Sequence, residues 1–233
     1  PVKMTYTRED EFQNAYVRQG LHINIKTAVR NDGKILGSKN VLAWDGGAYT
    51  EYGVNIVKAA GWGCVGPYDI ENIATDSYCV YTNHPVGGPY RGFGMCEIHF
   101  GIEQNIDMIA HEMGLDPFEM RKRNGIRPGG KSATGQTIEV AGYQECLDRA
   151  AALMELDKPS APSGSPTKLR GKGIAGGWKA PSMPTDVASS VIIRMNEDGT
   201  FILLASCQDS GQGSDTIMAQ IAAETLTVPV EKI

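Results

Sequence analysis

Residues 95–125 read MCEIHFGIEQNIDMIAHEMGLDPFEMRKRNG and decide how the first half of the chain folds. Apolar side chains recur at three- and four-residue steps, namely at Met95, Ile98, Ile102, Ile106, Ile109 and Met113. This spacing predicts one long helix with a continuous apolar stripe, which Gly114 ends by adopting a left-handed conformation. Asp116 followed by Pro117 is typical of the start of a second, short helix, which we expect to stop at Gly125.

Strand patterns come before these helices. Residues 22–30 alternate between apolar and polar side chains, residues 31–33 read Asn-Asp-Gly, and residues 35–44 resume the strand pattern. Two such runs joined by a glycine-containing turn predict a β-hairpin. A further strand is predicted over residues 73–82, and residues 2–6 also have strand-like sequence.

A polar segment divides the chain. Residues 157–170, DKPSAPSGSPTKLR, are rich in proline, serine, glycine and charge, which predicts a linker between domains at 1–156 and 171–233. A third helix is predicted before the linker at 143–156. After it we expect strands at 173–178, 188–195 and 201–206 and a helix at 215–226. Because strands and helices mix without a regular βαβ alternation, the predicted fold class is α+β.

The composition limits the class of function. The net charge is −5 and no cluster of Lys and Arg is available to neutralise phosphates, which argues against nucleic-acid binding. The five cysteines are widely spaced without a C-x-x-C motif, so we interpret them as buried apolar residues in a reducing cytoplasm. No apolar run approaches the length of a membrane span. The chain begins at Pro1 without a methionine, and we expect it to be an internal segment of a longer polypeptide.

The first segment that indicates chemistry is the arginine loop, residues 87–94, which reads GGPYRGFG. Glycine at four of these positions is costly unless the backbone needs unusual dihedral angles or must approach another group closely. Arg91 can donate to anionic groups, Phe93 offers a flat face, and the start of the following helix favours negative charge. The alternative is a plain strand-to-helix turn whose arginine pairs with a surface carboxylate. His84 is the histidine near this loop.

The second such segment is the glutamine loop, residues 208–214, which reads QDSGQGS and also lies between a predicted strand and a helix. Its glycines allow close backbone approach, and the helix N-terminus stabilises a bound phosphate. It matches neither a Walker loop nor a Rossmann fingerprint, so alone it is weak evidence for binding. Asp209 either orients this loop or caps the helix, and we favour capping.

These segments, taken in order, resemble the large subunit of the molybdenum hydroxylases, the xanthine dehydrogenase and aldehyde oxidase family. The resemblance covers nearly the whole chain. It is similar to the back half of a first molybdopterin-binding domain joined to the opening of a second. The residues that carry it are Tyr6-Thr7-Arg8-Glu9-Asp10-Glu11, Asp45-Gly46-Gly47-Ala48-Tyr49, Tyr81-Thr82-Asn83, Pro85, Tyr90-Arg91-Gly92-Phe93-Gly94, Glu103, Asp107, Ile109, Gly114-Leu115-Asp116-Pro117, Glu119, Arg121, Arg123-Asn124, Gly211-Gln212-Gly213 and Gln220-Ile221-Ala222-Ala223-Glu224.

The resemblance implies a molybdenum–molybdopterin cofactor, in bacteria usually the cytosine dinucleotide form, which is held by its own dithiolene so that no cysteine ligates the metal. It implies that Arg91 contacts the molybdenum centre, together with the backbone amides of Tyr90 and Gly92. The second loop would bind the pterin and its phosphate through Gln208, Gly211, Gln212 and Gly213. In the intact subunit the two loops would converge on this one ligand.

For the substrate, the resemblance implies that Phe93 stacks against a ring. The xanthine enzymes have a substrate-binding arginine where this chain has Ala59, and Lys58 stands one place away, which puts purine specificity in doubt. The tract at Ser182 would border the substrate pocket, but Pro181 stands where a phenylalanine is expected beside it.

The implied reaction is hydroxylation of an N-heterocycle or an aldehyde with oxygen from water, assisted by a glutamate base. Electrons would leave through iron–sulfur and FAD subunits or domains. The family's glutamate lies in a Gly-Glu motif that this chain lacks, so no catalytic residue is assigned and the isolated chain is expected to be inactive. Two alternatives stay open: a reductive member acting on an aromatic acyl thioester, and a non-catalytic module for cofactor binding or subunit association.

Overall fold

The computed structural model describes residues 2–160, 164–179, 189–209 and 211–233, so the predictions for Pro181 and Ser182 lie outside the described residues. The chain forms two compact units, residues 1–183 and 184–233, and each is described by itself. In chain order the elements are α1 (Arg8–Asn14), β1 (Leu21–Val29), β2 (Ile35–Gly47), α2 (Gly53–Trp62), β3 (Asn72–Tyr81), α3 (Met95–Glu112), α4 (Pro117–Asn124), α5 (Tyr143–Leu153), β4 (Val191–Met195), β5 (Phe201–Ala205), α6 (Ser214–Leu226) and a 3₁₀ turn at Val230–Lys232. This mixture of elements confirms the predicted α+β class.

The first unit is built on a three-stranded sheet with the order β1-β2-β3. Strands β1 and β2 pair antiparallel as a hairpin, with Leu21 opposite Trp44, which confirms that prediction. Strand β3 pairs with β2 in parallel. Because parallel neighbours need a crossover connection, the chain between them forms α2. The predicted strand at 73–82 is therefore confirmed, whereas its parallel pairing was not predicted.

One face of this sheet carries the core. Alternate side chains along β1 are more buried than their neighbours, as expected for a sheet covered on one side. Helices α2 and α3 cover that side. The fully buried Leu42 and Trp44 of β2 belong to the same cluster as Ile98 and Ile106 of α3. The apolar stripe predicted for α3 is thus the core face of the helix.

The ends of α3 and α4 follow the predicted capping. Gly114 has a φ of +65° just after α3, a left-handed conformation that glycine adopts readily. Asp116 accepts hydrogen bonds from the backbone N–H groups of Phe118 and Glu119 at the start of α4. At the other end of α4, the buried Asn124 accepts from the N–H of Ile35 at 2.8 Å. This side chain ties α4 to the start of β2.

A buried ion pair joins α4 to α3. Arg121 is fully buried and donates to Glu103 Oε2 at 2.8 Å and to Asp107 Oδ1 at 2.6 Å. Tyr68 donates its hydroxyl to the other oxygen of Glu103 at 2.6 Å. Burial raises the pKa of Tyr68 and, with the nearby carboxylate of Glu103, keeps this hydroxyl protonated. Because every partner is hydrogen-bonded, the desolvated charges are compensated.

Residues 173–179 lie against this ion pair. The N–H of Gly176 donates to Glu103 Oε2 at 2.7 Å, and the N–H of Trp178 donates to His99 Nε2 at 3.4 Å. On its other side, the ring of His99 bonds to the carbonyl of Met95 at 2.6 Å. Burial lowers the pKa of His99, so its neutral form accepts from Trp178 while donating to Met95.

The second unit contains a hairpin and a helix. Strands β4 and β5 pair antiparallel, with Val191 opposite Ala205, and α6 follows the glutamine loop. The strand predicted at 201–206 and the helix predicted at 215–226 are confirmed, each to within one residue. The predicted strand at 188–195 is confirmed over the residues of β4.

Three predictions are wrong. Residues 2–6 form no strand, and residues 173–178 are extended but pair with no strand among the described residues, since their backbone bonds to side chains of α3 instead. The cysteines are not all buried: Cys64 is, but Cys96, Cys146 and Cys207 are exposed. The compact units divide after residue 183, whereas the predicted linker lies at 157–170, and the domain limits stay a prediction.

No helix within the described ranges is both long enough and apolar enough to cross a membrane.

We expect the substitution Arg121→Met to loosen α3 and α4, because it leaves Glu103 buried without a cation. Breaking a buried pair in this way costs about 3–5 kcal/mol. Hydrogen exchange of the α3 and α4 amides in the full-length protein should accelerate by roughly two orders of magnitude or more. Arg123→Met on the exposed side of α4 is the matched control and should change stability by less than about 0.5 kcal/mol. Equal exchange rates in the two variants would contradict the prediction.

Candidate functional site

The first half of the arginine loop packs closely between residues 16–19 and the end of β2. The N–H of Gly87 donates to the carbonyl of Gly46 at 3.2 Å, and the N–H of Gly88 donates to the carbonyl of Val17 at 3.0 Å. A Cβ on Gly87 would lie 2.5 Å from Gln19 Cγ. A Cβ on Gly88 would lie 2.6 Å from the ring of Tyr16. Both glycines are therefore required for close approach rather than for flexibility.

The second half of the loop makes a tight left-handed turn into α3. Gly92, Phe93 and Gly94 have φ angles of +106°, +53° and +87°. The N–H of Phe93 donates to the carbonyl of Tyr90 at 2.8 Å, which closes the turn. Phe93 is a non-glycine residue with positive φ, an uncommon conformation that tends to occur at functional sites. The turn therefore fixes the direction in which the Phe93 ring leaves the backbone.

Arg18 anchors the second half of the loop, a role that the sequence did not predict. Its guanidinium pairs with both carboxylate oxygens of Glu97 at 3.0 and 3.1 Å and donates to the carbonyl of Arg91 at 2.9 Å. The same group lies 4.6 Å from the centre of the Tyr90 ring, a cation–π contact. Arg18 thereby fastens the loop backbone to the first turn of α3.

The side chain of Arg91 takes no part in these contacts. Its side chain is exposed, and none of the ion pairs within the described ranges includes it. Glu97, the acidic residue in the first turn of α3, is already paired with Arg18. The alternative interpretation, in which Arg91 pairs with a surface carboxylate, therefore receives no support from the described part of the chain.

The backbone around Arg91 offers further donors. The N–H groups of Tyr90, Arg91 and Gly92 have no protein acceptor among the residues that the structure describes. Helix α3 also begins at Gly94 without a side-chain cap, and Glu97, the carboxylate of its first turn, is already paired with Arg18. Three successive N–H groups, a guanidinium without an ion-pair partner in the described part of the chain and an uncapped helix start together form a site for an anion.

Phe93 and the other predicted substrate residue lie in different surroundings. Phe93 is partly buried, and the ammonium of Lys179 lies 5.3 Å from its ring centre. Ala59 lies on the face of α2 that packs into the hydrophobic core and is fully buried. Its neighbour Lys58 places its ammonium 5.2 Å from the centre of the Trp62 ring. The substrate roles of Phe93 and Ala59 stay predictions.

An Asp-His pair stands at the start of the loop. Asp45 accepts from the hydroxyl of Thr82 at 2.5 Å and from the N–H of Gly47 at 3.0 Å, and it pairs with the ring of His84. The Thr82 and His84 hydrogen bonds hold the pKa of Asp45 below its usual range. His84 is largely exposed, so this pair orients the loop entrance rather than closing a pocket.

The glutamine loop holds an internal carboxylate at the start of α6. Asp209 accepts from the N–H of Gly211 at 2.6 Å and from the N–H of Asp215 at 3.4 Å, and these bonds lower its pKa. The shorter bond orients the loop and the longer one reaches the first turn of α6, so Asp209 takes part in both of the roles considered. Gln212 donates its side-chain N–H to the carbonyl of Gln208 at 2.9 Å and to Ser214 at 2.6 Å.

This arrangement differs from that at Arg91. Gly211 and Gly213 have φ angles of +100° and +84°, so the backbone turns sharply as predicted. However, the carboxylate of Asp209 already occupies the start of α6, where a phosphate was predicted to bind. The arginine loop therefore has the stronger geometry for an anion.

The profile of the molybdopterin cofactor-binding domain family matches residues 1–125, and a second profile of the same description matches residues 147–233. The chain belongs to this family. The match extends across the arginine loop and the glutamine loop. Among the described residues, no group of His, Cys, Asp and Glu could hold a metal ion directly.

The chain is similar in sequence to parts of larger proteins. A xanthine dehydrogenase molybdenum-binding subunit of Escherichia coli O157:H7 is 32% identical over 238 residues, which cover 100% of this chain and 32% of that protein. The nicotinate dehydrogenase large molybdopterin subunit of Eubacterium barkeri is 34% identical over 151 residues, covering 64% of this chain and 36% of that protein. The chain thus spans about a third of the length of these relatives.

A solved structure shares the fold. The aldehyde oxidoreductase from Desulfovibrio gigas superposes with a TM-score of 0.77 at 28% identity, covering 98% of this chain and 26% of that one. The molybdopterin-binding domains of that enzyme are therefore similar in architecture to this chain.

The residues of the arginine loop fit the cofactor that the family implies. Molybdopterin carries a phosphate and an anionic metal centre, and the amides of Tyr90, Arg91 and Gly92 are donors without protein acceptors among the described residues.

We expect Arg18→Met to release the arginine loop, because the carbonyl of Arg91 loses its donor and Glu97 loses its cation. The amides of Phe93 and Met95 should exchange roughly ten-fold faster, the effect of losing a charged hydrogen bond. Hydrogen exchange measured by mass spectrometry checks this. Arg30→Met removes an exposed pair with Asp32 and should leave these amides unchanged. Unchanged exchange at Phe93 in the Arg18 variant would contradict the role assigned to it.

We expect Thr82→Val to raise the pKa of Asp45 toward the ordinary value of about 3.9, since the hydrogen bond that lowers this pKa most is lost. A carboxyl whose pKa is lowered by folding stabilises the fold above its unfolded pKa and loses this contribution as the pH falls through its folded pKa. The variant should therefore be less sensitive to acid over that range. A ¹³C NMR titration of the Asp45 carboxyl measures its pKa in the wild type and in the variant. Equal pKa values in the two proteins would refute the role assigned to the Thr82 hydrogen bond.

Proposed function

We propose that this chain is the part of a molybdenum hydroxylase that binds the molybdenum centre of a molybdopterin cofactor through the arginine loop. The observation that carries the proposal is the set of three N–H groups, at Tyr90, Arg91 and Gly92, without a protein acceptor among the described residues. They belong to Arg91 and its two chain neighbours, and the exposed guanidinium of Arg91 forms no described ion pair. Such donors are stabilised by an anion that accepts from several of them at once.

In this proposal the residues have distinct roles. The amides of Tyr90 and Gly92 hold the oxygen ligands of the metal centre, and Arg91 adds a charged donor. Gln208, Gly211, Gln212 and Gly213 contact the pterin and its phosphate, for which Asp209 must give up its bonds to the start of α6. Phe93 borders the substrate, as does Ser182 in the wider pocket, whereas the fully buried Ala59 would act only through the packing of α2.

The reaction class follows from the family and from the relatives. When bound, the cofactor supplies the oxygen that enters the substrate and accepts two electrons. The names of the relatives include xanthine, nicotinate and aldehyde enzymes, so the proposed substrate is an N-heterocycle or an aldehyde. Iron–sulfur and FAD subunits or domains would receive the electrons, and the cofactor would be the cytosine dinucleotide form in a cytoplasmic protein.

We expect Arg91→Met in the full-length protein to lower molybdenum occupancy by roughly ten-fold or more, because a charged hydrogen bond to the metal centre is lost. Metal analysis by mass spectrometry, with fluorescence of the oxidised pterin, measures this. Arg149→Met removes an exposed arginine of α5 that pairs with Glu145 and should leave occupancy unchanged. Full occupancy in the Arg91 variant would remove the role proposed for the loop.

The isolated chain should hold no stoichiometric molybdenum, since it spans about a third of the relatives and supplies only part of the cofactor's surroundings. Metal analysis of the purified chain checks this expectation. One molybdenum per chain would overturn it.

A further inference from the structure

Lys179 lies at the arginine loop without having been predicted as part of the site. It follows the extended residues 173–178, whose backbone is fastened to Glu103 and His99 of α3. Its ammonium donates to the carbonyl of Gly92 at 3.4 Å and lies 5.3 Å from the centre of the Phe93 ring. The fold therefore brings a second cation to the loop, in addition to Arg91.

The charge of Lys179 has no described counterion. No ion pair of the residues that the structure describes includes Lys179, and partial burial lowers its pKa. Lys179 is an exposed residue, so its ammonium is open to solvent and its placement needs no counterion from the protein. An ammonium group has three donors, and the long bond to Gly92 uses one of them.

Phe93 gives this cation a place in the proposed reaction. The positive φ of Phe93 sets the direction of its ring, and the ammonium of Lys179 lies over that ring, 5.3 Å from its centre. A planar substrate packed against Phe93 would bring its ring substituents within reach of the ammonium. A carboxylate is the substituent that forms the strongest hydrogen bonds with it.

We propose that Lys179 is a specificity-determining residue that selects aromatic substrates bearing a carboxylate next to Phe93. This inference rests on the proposed function, since it assumes that Phe93 borders the substrate. It names the substrate class more narrowly than an N-heterocycle or an aldehyde. In the absence of such a ligand, Lys179 remains at the loop through the Gly92 carbonyl and the Phe93 ring.

Benzoate and benzamide are matched probes, because they share a ring and differ in charge. Their dissociation constants with the full-length, cofactor-loaded enzyme can be measured by isothermal titration calorimetry without turnover. We expect benzoate to bind roughly ten-fold more tightly than benzamide, the effect of a charged hydrogen bond. Lys179→Gln keeps a donor for Gly92 but removes the charge, and should abolish this preference by weakening benzoate alone. Lys179→Arg should retain it.

The outcomes separate the two proposals. Molybdenum and pterin content of the wild-type enzyme is measured first, and their absence would overturn the proposed function together with this inference. If the cofactor is present, a wild-type enzyme without preference for benzoate overturns the role of Lys179 alone. So does a Lys179→Gln variant that binds both probes as the wild type does, or that weakens both equally.

Discussion

The buried pair of Arg121 with Glu103 is the interaction on which the rest of the first unit depends. It joins α4 to α3, and the Glu103 oxygen that accepts from Arg121, Oε2, also accepts from the backbone N–H of Gly176. The same carboxylate therefore sets the positions of two helices and of the extended residues 173–179. Because a buried carboxylate must keep all its partners, these elements cannot shift independently. The placement of Lys179 beside the arginine loop is a consequence of this constraint.

The arginine loop shows how close packing can leave backbone donors available. Gly87 and Gly88 lie where any side chain would collide with Gln19 or Tyr16. Backbone hydrogen bonds therefore hold this part of the loop in place. Arg18 then takes the carbonyl of Arg91 as an acceptor. The carbonyls of the turn are thereby satisfied within the protein, while the N–H groups of the same residues are not. Such an imbalance favours an external acceptor of hydrogen bonds.

The sequence predicts the features that depend on local order. The stripe of α3, the left-handed Gly114 and the cap at Asp116 depend on residues a few positions apart, and all of them are confirmed. The hairpin is likewise local. The contacts of Arg18 with Arg91 and Glu97 join residues more than seventy positions apart, and nothing in the pattern around Arg18 indicates them. Residues 173–178 have a strand pattern, yet side chains of α3 accept N–H groups of this segment. Periodicity alone therefore predicted a strand that the described residues do not form, and it gave no sign of Lys179.

The charge of Glu97 decides what Arg91 can do. Glu97 lies in the first turn of α3, where a carboxylate is favoured by the helix dipole and could neutralise a neighbouring arginine. Arg18 binds both of its oxygens, so that negative charge is already compensated. Arg91 therefore keeps its full charge at the surface of a chain whose net charge is −5. Two arginines and one glutamate thus leave one positive charge. Because Arg18 also holds the Arg91 carbonyl, the backbone that carries this charge is anchored, next to three amides that lack an acceptor in the described part of the chain. A site built in this way selects a ligand that carries negative charge on several oxygens, which is the character of the cofactor of this family.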